Sequence, residues 1–101
     1  MLIGIPKEIM YKENRVAALP ETIEKFKKLG FDVIVETKAG AGAFADDAAY
    51  LKAGAQIAAD AAEVFDKSDI ILKVKEPMFN AQFNKHEIDM LKENQMLITF
   101  I

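Results

Sequence analysis

The chain has no cysteine, which removes both a disulfide framework and a thiolate metal site. A single histidine excludes a multi-histidine metal centre in the same way. No apolar run approaches the roughly 20 residues that a membrane-spanning helix requires. Low-complexity tracts, a long linker and a convincing internal repeat are also missing. Charge of one sign is not in marked excess: the formal net charge is -3, with acidic and basic residues interspersed. Nothing in that distribution points to a nucleic-acid surface. What remains is a chain of 101 residues, 51% apolar and 29% charged. That is the balance of one soluble globular domain, with a cytoplasmic location and no membrane insertion as the default expectations.

Strand-like and helix-like segments alternate. Met1 to Ile5 is a short apolar run cut off by a proline and charged residues, so it reads as a buried strand over Leu2 to Ile5 and not as a signal peptide. A long polar connection, Pro6 to Leu19, follows it. A helix is expected from Pro20, which suits a first helical turn, with Glu21 favourable at the positive helix end. Ile23, Phe26 and Leu29 form its apolar face, and Gly30 stops it. Phe31 to Glu36 reads as a second strand. Asp46 or Asp47 is placed to cap a short helix ending at Gly54, and Asp60 to Glu63 has capping-box spacing for another through Phe65. Ala55 to Ala59 suits a minor strand, and Ile70 to Lys75 a third full one. Asn84-Lys85-His86-Glu87 offers similar capping for a helix carrying Ile88 and Leu91. Gln95 to Ile101 is a last strand. Short buried strands separated by helices imply an α/β fold, with a mostly parallel sheet flanked by helices. The sequence stops inside that last strand with no polar tail, which is the expectation for a piece of a longer domain.

Few residues in this pattern could carry chemistry. Gly40-Ala41-Gly42-Ala43-Phe44-Ala45 fits G-x-G-x-x-G/A literally, after a strand and before a helix. Asp46 and Asp47 then put two carboxylates where a pyrophosphate would sit, on a helix of only about two turns at 3.6 residues each. A turn between strand and helix is the better reading. Arg15 follows the first strand: it is either a solvated loop arginine or a guanidinium fork for a substrate carboxylate, at the strand end where open α/β sheets build clefts. Lys73 and Lys75 alternate to one side near the end of an apolar strand, either solvated at the rim or aimed into a cleft. His86, flanked by Asn84, Lys85 and Glu87, reads as a solvated helix-end histidine rather than an acid/base.

Taken together, Ile3-Gly4-Ile5-Pro6-Lys7-Glu8, Glu13-Asn14-Arg15-Val16-Ala17, Leu29-Gly30-Phe31-Asp32-Val33, Ala39-Gly40-Ala41-Gly42, Ala53-Gly54-Ala55 and Ile71-Leu72-Lys73-Val74-Lys75-Glu76-Pro77 closely resemble the start of the alanine dehydrogenase and NAD(P) transhydrogenase alpha-subunit family. The resemblance covers nearly the whole chain. It implies a flavodoxin-like or Rossmann-like substrate-side domain, incomplete here, so that residues 1–101 are an N-terminal domain fragment. A separate Rossmann domain would bind NAD or NADP, and no cofactor is expected on this segment. It also implies a homo-oligomer and a small-molecule substrate such as pyruvate or alanine, held by Arg15 and Lys75.

The family's catalytic histidine and aspartate fall beyond Ile101, so no catalytic residue is assigned here and the segment alone is expected to be inactive. Lys75-Glu76-Pro77 resembles the alanine dehydrogenase branch. Leu29-Gly30-Phe31, Glu87 to Lys92 and Thr99-Phe100-Ile101 look more like transhydrogenase alpha subunits, with hydride transfer between NADH and NADP, and tip the sequence reading slightly that way. A non-catalytic, self-associating binding module is the reading from a different class, motivated by the unprotected last strand.

Overall fold

In the computed structural model, residues 1–10, 13–75 and 77–99 are described. Four stretches of the chain pair with parallel neighbours around a first central strand. The strands of the sheet are β1 (Leu2–Ile5), β2 (Asp32–Glu36), β3 (Gln56–Ala58), β4 (Ile70–Lys73) and β7 (Met96–Thr99), in the spatial order β3-β2-β1-β4-β7. Every pairing in it is parallel, with Ile3 opposite Val33 on one side and Ile70 on the other. A separate antiparallel hairpin joins β5 (Phe79–Asn80) to β6 (Lys85–His86). The helices are α1 (Pro20–Lys28), α2 (Asp47–Lys52), α3 (Ala61–Lys67) and α4 (Glu87–Met90).

Alternation along the strands divides the interior into two cores. Ile3, Ile5, Val33 and Val35 pack with Ile23 of α1 and Tyr50 of α2 on one face. Ile34 and Ile71 pack with Ala61, Val64 and Phe65 of α3 on the other. Fully burying an aliphatic side chain of this kind is worth about 1.5–3 kcal/mol, and both cores draw on it. The expectation of a sheet covered on two faces therefore holds, but coverage is uneven. Met96 and Ile98 lie opposite Ile70 and Leu72 in the register and remain 56% and 47% exposed.

Local chemistry accounts for most of the boundaries. Pro20 opens α1, and Gly30, at φ 93°, takes the left-handed turn that ends it. Asp46 caps α2 by accepting from the Ala49 amide at 2.8 Å. Asp60 caps α3 by accepting from the Glu63 amide at 2.9 Å, while the Glu63 carboxylate reaches back to the Ala59 amide. Gly4 of β1 is a close-approach residue: a Cβ there would run into Ser68 Oγ and lie 2.9 Å from a Val64 methyl.

Two expectations need correction. The third strand ends at Lys73, two residues early, because the Val74 and Lys75 amides turn to donate to Glu8. Asn84 does not cap the fourth helix; it sits at φ 52° in the hairpin turn, and His86 takes the cap by accepting from the Ile88 amide at Nδ1. The β5–β6 hairpin leaves no signature in the sequence, since strands of two residues are too short to show an alternating pattern. Phe100 and Ile101, placed in the last strand on sequence grounds, lie outside the described residues, as do Tyr11, Lys12 and Glu76.

Candidate functional site

The carboxyl ends of β1, β2 and β4 meet at one rim of the sheet, and the connection leaving β1 is fastened there in two directions. The Lys7 amide donates to Glu36 Oε1 at 2.9 Å, at the end of β2. One residue later, the Glu8 carboxylate turns toward β4. It accepts from Lys73 Nζ at 2.9 Å, from the Val74 amide at 2.8 Å and from the Lys75 amide at 3.2 Å. Consecutive residues thus tie the first loop to the strands on either side of β1.

Lys73 has a second acidic neighbour. Its Nζ lies 3.4 Å from Glu87 Oε1, and the side chains of Glu8, Lys73 and Glu87 are each only 1% exposed. Glu87 Oε1 also accepts from the Met78 amide at 2.8 Å, but Glu87 Oε2 is buried with no hydrogen-bond partner among the described residues. Burial pushes the Glu87 carboxyl above its ordinary value, with Lys73 opposing the shift but not cancelling it. One ammonium between two buried carboxyls cannot neutralise both. Of the two, Glu87 is the one with fewer donors, and burial favours its protonated form. Glu36 is also pushed up, again by burial, against the pull of the Lys7 amide.

Arg15 lies farther along the same loop, with its side chain 66% exposed. Its Nε and Nη2 grip the two oxygens of Glu13 at 3.0 and 2.9 Å, and its backbone amide donates to Glu13 as well. That paired hydrogen bond holds the Glu13 carboxyl at about 2, and the nearby charge of Lys75 adds to the depression. Glu13 in turn raises the Arg15 guanidinium. A guanidinium carries five N–H donors, and no acceptor among the described residues meets Nη1. The edge running from Nη1 remains able to take a second carboxylate. Lys7, Glu8, Glu13, Arg15 and Lys38 border a small cleft of about 180 Å³ here, floored by Ala39, Ala41 and Gly42.

Arg15 and Lys75 do not touch, but both act on the same carboxylate, that of Glu13. No carboxylate among the described residues pairs with the Lys75 ammonium, and its carbonyl accepts from Thr99 Oγ1 at 2.7 Å. Lys73 is neither at the rim nor in a cleft: it is an internal ion. It shares its strand face with Ile71, which is fully buried, and a lysine on a buried face demands an acidic partner. That signal could have pointed to Glu8 and Glu87, both overlooked on sequence.

The glycine stretch is a turn, with Ala41–Ala43 forming one 3-10 turn. A Cβ on Gly40 would meet the Ala45 carbonyl at 2.6 Å and the Tyr50 ring at 2.7 Å, and one on Gly42 would meet the Asn14 backbone at 2.9 Å. These glycines make room for the chain itself, and the Asp46 carboxylate already sits at the start of α2, on the Ala49 amide. The residues present do not fit a dinucleotide phosphate at this turn.

The parallel sheet and the loop fastened over its carboxyl rim place the chain in a defined class. It belongs to the family described as alanine dehydrogenase/PNT, N-terminal domain, whose model matches residues 4–101. Over all 101 residues it is 46% identical to the alanine dehydrogenase of Methanococcus maripaludis, covering 26% of that protein. It is 48% identical, again over 101 residues, to the NAD(P) transhydrogenase subunit alpha of Haemophilus influenzae, covering 18% of it. Among solved structures, the transhydrogenase from Sinorhizobium meliloti superposes on the whole chain with a TM-score of 0.86 at 39% identity, and 28% of that chain is covered. An L-alanine dehydrogenase superposes on 98% of this chain with the same score at 36% identity, and 26% of that chain is covered. The chain thus spans about a fifth to a quarter of the curated relatives it matches. No helix among the described residues is long and apolar enough to cross a membrane.

Proposed function

We propose that this chain is the substrate-side domain of a nicotinamide-dependent oxidoreductase of this family, and that Arg15 and Lys75 hold the substrate. The supporting observation is a pair of cationic groups after adjacent strands β1 and β4, the Nη1 edge of Arg15 and the ammonium of Lys75, that no hydrogen-bonded carboxylate among the described residues occupies. A small 2-oxo acid suits them. The planar guanidinium would take its carboxylate in bidentate fashion, and the lysine would polarise the carbonyl oxygen. NAD or NADP would supply the hydride chemistry from a domain outside this chain, since Gly40 and Gly42 are filled by the chain's own atoms.

A carboxylate site favours the alanine dehydrogenase type, with pyruvate or alanine as substrate, over the transhydrogenase reading that the sequence slightly preferred. The transhydrogenase reading stays second, on the 48% identity to an NAD(P) transhydrogenase alpha subunit along the full chain. The test is a pyruvate titration of ¹⁵N-labelled protein followed by NMR. Shifts centred on Arg15 and Lys75, lost in Arg15→Ala and Lys75→Ala, are expected. A spectrum indifferent to pyruvate would overturn the ligand assignment and move transhydrogenation to the front.

A further inference from the structure

We infer that Glu8 is a positioning residue for Lys75, and that the buried Glu8–Lys73–Glu87 cluster serves to hold Glu8 in that role. This rests on the reading of Lys75 as a substrate ligand. It begins with an unusual allocation of hydrogen bonds. The strand pairing of β4 ends at Lys73, so the next two amides have left the ladder and need acceptors. Both find Glu8: Val74 N–H donates to Oε2 and Lys75 N–H to Oε1. A single carboxylate from a loop 66 and 67 residues away in sequence therefore sets the direction in which the chain leaves β4, and with it the base of the Lys75 side chain.

The same loop carries Arg15. Glu8 thereby connects the segment bearing one cationic group to the backbone bearing the other. Without it, Arg15 and Lys75 would belong to two strand ends with no hydrogen-bonded link between those segments among the side-chain bonds described. The carboxylate is itself pinned by the Lys73 ammonium at 2.9 Å in a site excluded from water. Charge-assisted bonds of this kind are short and directional. Glu87 fills the far side of Lys73 and holds the turn at Met78 through its Oε1 and its own amide. A ligand group must be held within a fraction of an ångström of its productive position. A buried ion network costs desolvation that an apolar filling would avoid, and fixing Lys75 is a return on that cost.

Two measurements on the 101-residue protein test this. The first is ¹⁵N relaxation of the amides of Val74 and Lys75 without ligand, in the wild type and in Glu8→Gln. The substituted carboxamide keeps only one side-chain oxygen, so at least one of the two amides loses its acceptor. Fast motion is expected to rise at residues 74–75 and not across the sheet. Should Glu8→Gln fail to fold, Glu8→Ala/Lys73→Met removes the same acceptor while leaving no unpaired buried ion, because Glu87 can keep its proton.

The second measurement is a double-mutant cycle in pyruvate affinity. Glu8→Gln is expected to weaken pyruvate about tenfold in the wild-type background, and to have no further effect once Lys75 is alanine. Equal weakening in both backgrounds would mean that Glu8 acts through the fold at large and would overturn the inference. Unchanged order at residues 74–75 would overturn it too. If the wild type ignores pyruvate while Lys75 still loosens in Glu8→Gln, the substrate reading fails and the positioning of Lys75 by Glu8 stands.

Discussion

Glu13 grips Arg15 along its Nε–Nη2 edge, with hydrogen bonds of 3.0 and 2.9 Å, and the Nη1 edge faces away from that grip. The two residues are only two positions apart, so the loop aims its own guanidinium. An arginine tethered in this way loses less rotamer freedom on meeting a ligand than one waving in solvent.

The Glu13 carboxyl reports directly on that tether. Followed by ¹³C NMR, it should titrate at about 2 in the wild type. In Arg15→Ala it should rise toward the ordinary carboxylate value, because the largest cause of the depression is gone. An unchanged titration in the variant would show that Arg15 does not hold Glu13.

Glu87 gives stability an opposite dependence on pH. Its folded-state value is raised, so above the unfolded value the native state retains a proton that the unfolded chain releases. The contribution is fully present below the ordinary carboxylate value, near 4.5, and is lost as pH rises through the folded value. Urea midpoints measured from about pH 4 to pH 8 should show this, with Glu87→Gln abolishing that component of the slope. Glu36, raised for the same reason, adds a similar component that the Glu87 variant would leave in place. The depressed Glu13 and Glu63 carboxyls act the other way, losing their contribution as pH falls, and are common to both proteins.

Lys73→Met should be among the most costly substitutions in the chain. It leaves the Glu8 carboxylate buried without its ammonium, and breaking a buried pair from one side costs about 3–5 kcal/mol. Chemical unfolding would measure it. A loss below about 1 kcal/mol, the range of exposed pairs, would contradict the burial of all three side chains at 1%.

Gly4→Ala tests the contact between β1 and α3. The new methyl would lie 2.7 Å from Ser68 Cβ and 2.9 Å from a Val64 methyl, so α3 must move outward. Overpacking of this kind costs about 1–3 kcal/mol. Ser68→Gly in the same background removes the nearest atoms and should recover part of the loss.

The two aspartate caps offer a gentler comparison. Asp46→Ala and Asp60→Ala each remove one side-chain acceptor at a helix start, and about 1 kcal/mol is expected for either. The sites are separate, so the double variant should lose close to the sum.

Much of this architecture is written locally in the sequence. Leu2–Ile5 and the β2 core Val33-Ile34-Val35 are apolar runs that can only be strands between turns, and Pro20, Gly30, Asp46 and Asp60 mark helix ends by their own chemistry. Arg15 and Lys75 were visible as strand-end cations. Their surroundings were not, because the partners of Lys73 are remote in sequence: Glu8 lies 65 residues before it, and Glu87 lies on a later helix. No local period carries such a pairing. Asn84 misled for a related reason: the same amide side chain suits a helix cap and a left-handed hairpin turn, and the pairing of Phe79 with His86 decides between them.

Tyr50 lends the loop a built-in optical signal. Its hydroxyl donates to the Ala18 carbonyl at 2.8 Å, at the far end of the connection that bears Arg15, and burial pushes its phenol up to about 12. The chain has no tryptophan, and its two tyrosines are Tyr50 and, within that connection, Tyr11, so these two rings dominate its near-ultraviolet signal. The near-ultraviolet circular dichroism and fluorescence of the chain are therefore sensitive to whether that connection is seated on the sheet, and Tyr11→Phe leaves the Tyr50 contribution by itself. A change there on adding a small carboxylate would register movement of the loop without any label.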